Sequence, residues 1–144
     1  MRPFAFLLFA LMPASASAWA FSPLPICTMT RADADAEVVV TQDAAQGEYA
    51  ISVTLAGRTW PEAPVFSIAF VGTAPLTIST ARHVRSTDGR TITVRDTGFG
   101  NVLDGMAGNE AAVATAGAVS VLVPLDGAAA AVEAFRACPA AATA

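Results

Sequence analysis

Apolar and polar residues alternate with a period of two along most of this chain, as they do in half-buried β-strands. The clearest segment is Glu48–Ala56, where Tyr49, Ile51, Val53 and Leu55 share one face. Five further segments are short and alternating or rich in β-branched residues, which also predicts strands. They are Glu37–Thr41, Val65–Val71, Leu76–Val84, Arg90–Arg95 and Val119–Val123.

The connection Thr-Asp-Gly at residues 87–89 is typical of a β-hairpin turn. A three-residue loop with Gly89 in the left-handed conformation fits the spacing, and it would pair Val84 with Ile92. A two-residue Asp-Gly turn would instead set Val84 opposite Thr93.

A helical pattern of apolar residues at i, i+3, i+4 and i+7 is confined to the C-terminal part. Its members are Ala128, Ala131, Val132 and Phe135. Asp126 suits the N-cap, Arg136 suits the negative end of the helix dipole, and Pro139 is expected to stop the helix. Cys138 lies two turns after Ala131 and therefore emerges on the buried side of the helix.

These elements predict a mainly β fold. We expect an antiparallel β-sandwich or half-open barrel of six to seven short strands, closed by one C-terminal helix. The length suits a single domain over residues 21–139, followed by a disordered tail at 140–144. A lid over the core is expected from Phe99, Val102, Leu103 and Met106.

Residues 1–20 have the three parts of a cleavable signal peptide. Arg2 supplies a positive n-region, and Phe4–Met12 is an apolar run that is too short to span a bilayer permanently. Two A-x-A cleavage sites fit, ending at Ala18 and at Ala20, and cleavage after Ala20 is the preferred interpretation. A periplasmic or secreted protein without a transmembrane segment is therefore expected.

The two cysteines, Cys27 and Cys138, lie near the two ends of the mature domain. In an oxidising compartment they predict a disulfide. With His83 as the single histidine, the chain offers too few soft ligands for a zinc site. We expect no metal and no cofactor.

The charge balance excludes several functions. Without Arg2, seven arginines face twelve acidic residues, and an acidic chain is a poor nucleic-acid binder. The chain contains no lysine, which excludes Schiff-base chemistry and the phosphate-binding lysine of a P-loop.

The C-terminal segment Val119–Arg136 reads as a strand, then Leu-x-Gly at Leu125–Gly127, then a helix of small residues. It resembles the ending of the invasion-associated locus B family of secreted bacterial β-sandwich proteins. The whole chain also resembles small exported alphaproteobacterial proteins without an assigned role. The mid-chain cysteines that are usual in the invasion-associated locus B family are absent here. The resemblance to that family therefore implies only the fold and the compartment.

Two features are candidates for a binding site. The hairpin Ala81–Asp96 carries an arginine cluster of Arg82, Arg85, Arg90 and Arg95. In the three-residue-loop register, one polar face that suits an anionic group or partner combines His83, Arg85, Thr91, Thr93 and Arg95. The alternative is a solvated face that protects a sheet edge. Trp60 is the other candidate, as a core plug or as an exposed aromatic contact.

The chain shows no recognisable catalytic motif, so a non-enzymatic interaction or envelope accessory module is expected. Its partner would be an envelope protein or an anionic envelope component. A small-ligand carrier with an apolar cavity is the alternative, and a hydrolase that uses His83 is a further one.

We expect the exported protein to contain no free thiol when it is denatured without reductant. Cys138→Ser should lower the melting temperature, because closing so long a loop stabilises by about 4–5 kcal/mol in the chain-entropy model. Mass spectrometry after alkylation measures the thiols and calorimetry measures the melting. Labelling of both cysteines in the unreduced protein would contradict the disulfide.

Overall fold

Two antiparallel sheets pack face to face in the computed structural model, which describes residues 18–142 and the side chains as far as Cys138. Residues 1–17 of the expected signal peptide and residues 143–144 of the expected tail lie outside the described part. The predicted β-sandwich is confirmed, and the two sheets do not close into a barrel over residues 18–142.

The described part contains ten strands and two helices. In chain order they are β1 (Ala20–Ser22), β2 (Cys27–Ala32), β3 (Ala36–Asp43), β4 (Glu48–Leu55), β5 (Phe66–Val71), β6 (Leu76–Thr80), β7 (Val84–Arg85), β8 (Thr91–Asp96), α1 (Gly100–Gly108), β9 (Ala111–Ala116), β10 (Val119–Pro124) and α2 (Ala128–Ala142). The larger sheet has the order β1-β2-β3-β4-β8-β7, and the smaller sheet has the order β10-β9-β5-β6.

The period-two segments are strands, with their apolar faces buried between the sheets. Ile51, Val53 and Leu55 of β4 are buried, as are Phe66 and Ile68 of β5. The expected count of six to seven strands is too low. The strands β1, β2 and β9 were not predicted. β9 consists mostly of alanine and threonine, which give little contrast between its two faces.

The predicted strand Leu76–Val84 is wrong as a single strand. Its first part is β6, which pairs with β5 in the smaller sheet, and its last residue, Val84, begins β7, which pairs with β8 in the larger sheet. The chain therefore crosses from one sheet to the other at residues 81–83. Thr80 and Arg82 interrupt the apolar positions between Ile78 and Val84 at this point, and the prediction of one continuous strand overlooked that interruption.

The predicted hairpin register is also wrong, because Val84 pairs with Thr93 and Arg85 pairs with Ile92. This is the register of the two-residue alternative, but the backbone reaches it by a longer loop. Ser86 N–H donates to the carbonyl of Thr91 at 2.8 Å, which leaves residues 87–90 in the loop. Gly89 has a φ of 74° there, a conformation that favours glycine.

The helices cover one end of the sandwich. α1 buries Val102, Leu103 and Met106, and Phe99 before it is also buried, so the expected lid is confirmed. α2 buries Val132 and the other members of its predicted apolar face, and it packs on β1 and β2. Within residues 18–142 no helix has the length and apolar character needed to cross a membrane.

The ends of α2 differ from the prediction. The helix begins at Ala128 directly after Gly127, so Asp126 lies one residue too early for the N-cap. The backbone is helical to Ala142, so Pro139 does not stop the helix. The disordered tail expected at 140–144 stays a prediction. Pro139 lies just after the cross-linked Cys138, and the alanines that follow favour a helix, which outweighs the amide that proline lacks.

The predicted Cys27–Cys138 disulfide is present and links residues 111 positions apart. It joins the start of β2 to α2, so the helix is held against the sheet by a covalent bond as well as by packing.

The ring of Phe70 in β5 packs directly against the backbone of Gly105 in α1. A Cβ at position 105 would lie 2.3 Å from Phe70 Cδ2, and both residues are buried. We expect Gly105→Ala to reduce the free energy of unfolding by about 1–3 kcal/mol, since overpacking outweighs the better helix propensity of alanine. Gly108→Ala is the control, because its Cβ would have only an ordinary contact at 3.6 Å and should be nearly neutral. Urea denaturation compares the two variants, and equal effects would contradict the packing argument.

Candidate ligand cleft between the sheets

Trp60 is a core residue. Its side chain is fully buried, its Nε1–H donates to the carbonyl of Val53 at 3.0 Å, and its ring meets Phe66 edge to face at a centroid distance of 5.8 Å. The core-plug interpretation is confirmed, and the alternative of an exposed aromatic contact is wrong.

Arg85 and His83 hold the connection that carries Trp60. Arg85 Nε donates to the carbonyl of Trp60 at 2.7 Å, and its guanidinium lies directly over Gly89. His83 Nε2 donates to the carbonyl of Ala63 at 3.0 Å, since a carbonyl can only accept. Both side chains therefore stabilise residues 60–63 against the hairpin.

Arg95 lies on the other face of the larger sheet. It forms an ion pair with Glu48 at 3.3 Å, and both side chains are about half exposed. Thr91 and Thr93 of the same face bond to hydroxyls of β4. The expected polar face that combines His83, Arg85 and Arg95 is wrong, because the observed register turns Arg85 to the side of buried Ile92. A role of any one of these residues in anion or partner binding stays a prediction.

The side chains near His83 in sequence do not form a triad with it. Ser86 Oγ donates to Asp88 Oδ1 at 2.7 Å, and His83 is bonded to the backbone instead. His83 Nδ1 is buried and has no hydrogen-bond partner among the described residues. Among residues 18–138 no hydroxyl is hydrogen-bonded to this histidine, and the hydrolase alternative stays a prediction.

An open cleft of about 410 Å³ lies between the two sheets, at the edge where the chain crosses between them. Its floor is apolar and is formed by inner-face side chains of both sheets and of α1. These are Ile51, Phe66, Ile68, Ile78, Val94, Phe99 and Val102. Its mouth carries the polar side chains of Ser79, Thr80, Arg82, Asp96 and Asn101.

Arg82 has most of its hydrogen-bonding capacity free at this mouth. Its Nη2 donates to Asp96 Oδ2 at 3.3 Å, and its side chain is 76% exposed. Asp96 Oδ1 already accepts from Thr97 N–H at 2.7 Å. Each Asp96 oxygen thus accepts at least one hydrogen bond, whereas the guanidinium uses one of its five donors, so more donors than acceptors are left free between the two side chains.

The first turn of α1 forms one wall of the cleft. Residues 98–102 line it, and Phe99 at the N-cap position provides no side-chain acceptor for the amides of that turn. The first amide groups of a helix lack intrahelical partners and carry a partial positive charge. Gly100, Asn101 and Val102 of this turn line the cleft together with Arg82.

The two acidic groups with altered pKa values accept hydrogen bonds within turns that lie outside the cleft. The hydrogen bond from Arg31, followed by that from Asp35 N–H, holds the pKa of Asp33 below its usual range. The hydroxyl of Ser86, followed by Arg90 N–H, lowers the pKa of Asp88. No group of three or more metal-ligating side chains occurs within the described residues.

Sequence reasoning included Arg82 in the arginine cluster but selected Arg85 and Arg95 as contacts. It predicted that Phe99 and Val102 form a lid over the core, and it did not predict that they line a cleft. The cleft forms because β6 pairs with β5 in the smaller sheet instead of continuing into the hairpin. The one available signal is the interruption of the apolar positions at Thr80 and Arg82.

Comparison of the whole chain with protein-family models, with curated proteins and with solved structures finds no match. The resemblance to the invasion-associated locus B family therefore stays a prediction.

We expect Arg85→Ala to lower the free energy of unfolding by about 1 kcal/mol, because it removes the hydrogen bond that holds the Trp60 carbonyl. Arg95→Ala should change it by less than about 0.5 kcal/mol, since exposed ion pairs contribute little. Chemical denaturation of the two single variants tests this difference. Two equally small effects would show that the Arg85 contact does not stabilise the loop.

Proposed function

We propose that this chain is an exported, non-enzymatic binding protein that holds a small amphipathic molecule with an anionic end, such as a medium-chain carboxylate, in the cleft between its sheets. The observation that carries the proposal is the apolar cleft with convergent donors at its mouth. Interaction with an envelope protein stays a separate prediction.

The apolar part of the ligand would lie between the sheets. A volume of about 410 Å³ falls in the range of about 300–1,000 Å³ that is typical of small-molecule sites. The facing side chains of Phe66, Ile78 and Val94 would cover it from both sheets. Transfer of the chain from water then supplies the affinity, at about 0.8 kcal/mol for each buried CH₂ group.

The donor surplus at the mouth favours an anionic end. Arg82 can pair with a carboxylate through its free N–H groups, and the amides at the start of α1 lie on the same wall. A cationic end would meet the same donors and only the already engaged Asp96, so it fits less well.

The disulfide supports the export part of the proposal, because such bonds persist mainly in oxidising compartments. The large exposed apolar side chains are weaker evidence for a protein-interaction surface than the cleft is for a ligand site. The most exposed of them, Leu24, Val84 and Leu122, belong to a loop and to two strands of different sheets.

Isothermal titration of the purified protein with decanoate should show saturable binding at one site. Ile78→Trp places a larger side chain in the cleft and should weaken binding by at least tenfold. Leu122→Trp is the matched control, because Leu122 is 56% exposed on β10 and does not line the cleft. The absence of saturable binding, or an equal affinity in both variants, would overturn the proposal.

Arg82→Gln should weaken decanoate binding by about three- to tenfold, since the lost charge-assisted hydrogen bonds are partly exposed to water. The affinity for decanol, which has no charge, should stay nearly constant. If both ligands lose affinity equally, Arg82 does not recognise the anionic end.

A further inference from the structure

Trp19 is built into the folded domain, although it falls within the expected signal peptide. Its side chain is 7% exposed, and its Nε1–H donates to the carbonyl of Pro124 at 3.1 Å. This bond joins the N-terminal segment to the end of β10, which lies 105 residues later in the chain. A buried indole with a satisfied N–H is typical of a core residue.

The indole also closes the sandwich interior. It borders a void of about 20 Å³ between the two sheets, together with Val38, Val53 and Leu125. That void has an entirely apolar lining and is too small to hold more than about one water molecule. Removal of the indole would enlarge it and open it to solvent at the edge between β1 and β10.

The neighbouring backbone belongs to the fold as well. Ala20 pairs with Thr30 and Phe21 pairs with Met29, so β1 begins immediately after Trp19. The backbone N of Trp19 lies 3.8 Å from the position of a Cβ on Gly127, at the turn before α2. A cut after Ala20 would therefore remove a core side chain and the first paired residue of β1.

We propose that the leader is removed after Ala18, at the Ala16-Ser17-Ala18 site, so that Trp19 is the first residue of the mature protein. The inference rests on the export proposed above. Both sites satisfy the small-residue rule of signal cleavage, and only the cut after Ala18 leaves the domain described here intact. The preferred interpretation from sequence, a cut after Ala20, is replaced by this proposal.

The test is intact-mass analysis of the protein exported by a bacterial host from the full chain with its own leader. A mature chain that begins at Trp19 is expected. A chain that begins at Phe21 would overturn the cleavage site and leave export intact. A chain that keeps Met1 and stays in the cytoplasm would overturn export and, with it, this inference.

Two matched variants separate the sites. Ala20→Phe removes only the later cleavage site, Ala18-Trp19-Ala20, so the product should still begin at Trp19. Ala16→Phe spoils only the earlier site, so the product should begin at Phe21 or keep its leader. Loss of processing in Ala20→Phe would overturn the proposal, because it would show that the later site is the one in use.

A third measurement tests the physical reason. Chains made to begin at Trp19 and at Phe21 should differ in melting temperature by about 10 °C, as expected for loss of a large buried side chain from a small domain. Equal melting temperatures would show that Trp19 is dispensable and would remove the structural argument for the earlier site.

Discussion

The two sheets differ in width, and this mismatch governs the architecture. A six-stranded sheet faces a four-stranded one, so the smaller sheet cannot cover all of the larger one's apolar face. On the side of β1 and β2 the uncovered face is packed by α2, which the Cys27–Cys138 bond holds in place. On the side of β8 and β7 the connection around Trp60 fills part of the gap. The part left unfilled is the cleft.

Two tryptophans complete the core in similar ways. Each buries its ring and donates its indole N–H to a strand carbonyl, Trp19 to Pro124 and Trp60 to Val53. Burying so large a side chain is favourable only when the N–H finds an acceptor. Both rings reach the core from segments outside the central strands, so the packing of the sandwich depends on the exact course of its connections.

Arg85 and Arg95 of the hairpin have different contacts because they lie on opposite faces of the larger sheet. Arg85 is directed to the Trp60 connection, where it stabilises a loop, whereas Arg95 stays on the outer face with Glu48. A shift of one residue in strand pairing transfers every side chain to the opposite face. The predicted register therefore placed His83, Arg85 and Arg95 on one polar face, which the structure does not have. It gave no indication that Arg82 lies at the cleft.

The sequence by itself determined the sandwich class, the inner faces of β4 and β5, the C-terminal helix and the Cys27–Cys138 pair. Each of these follows from local periodicity or from the compartment chemistry of cysteine. The tertiary structure alone decided the crossing at residues 81–83, the hairpin register and the burial of Trp19. Those features depend on which surfaces remain to be covered once the sheets have met, and local periodicity does not determine contacts between distant segments.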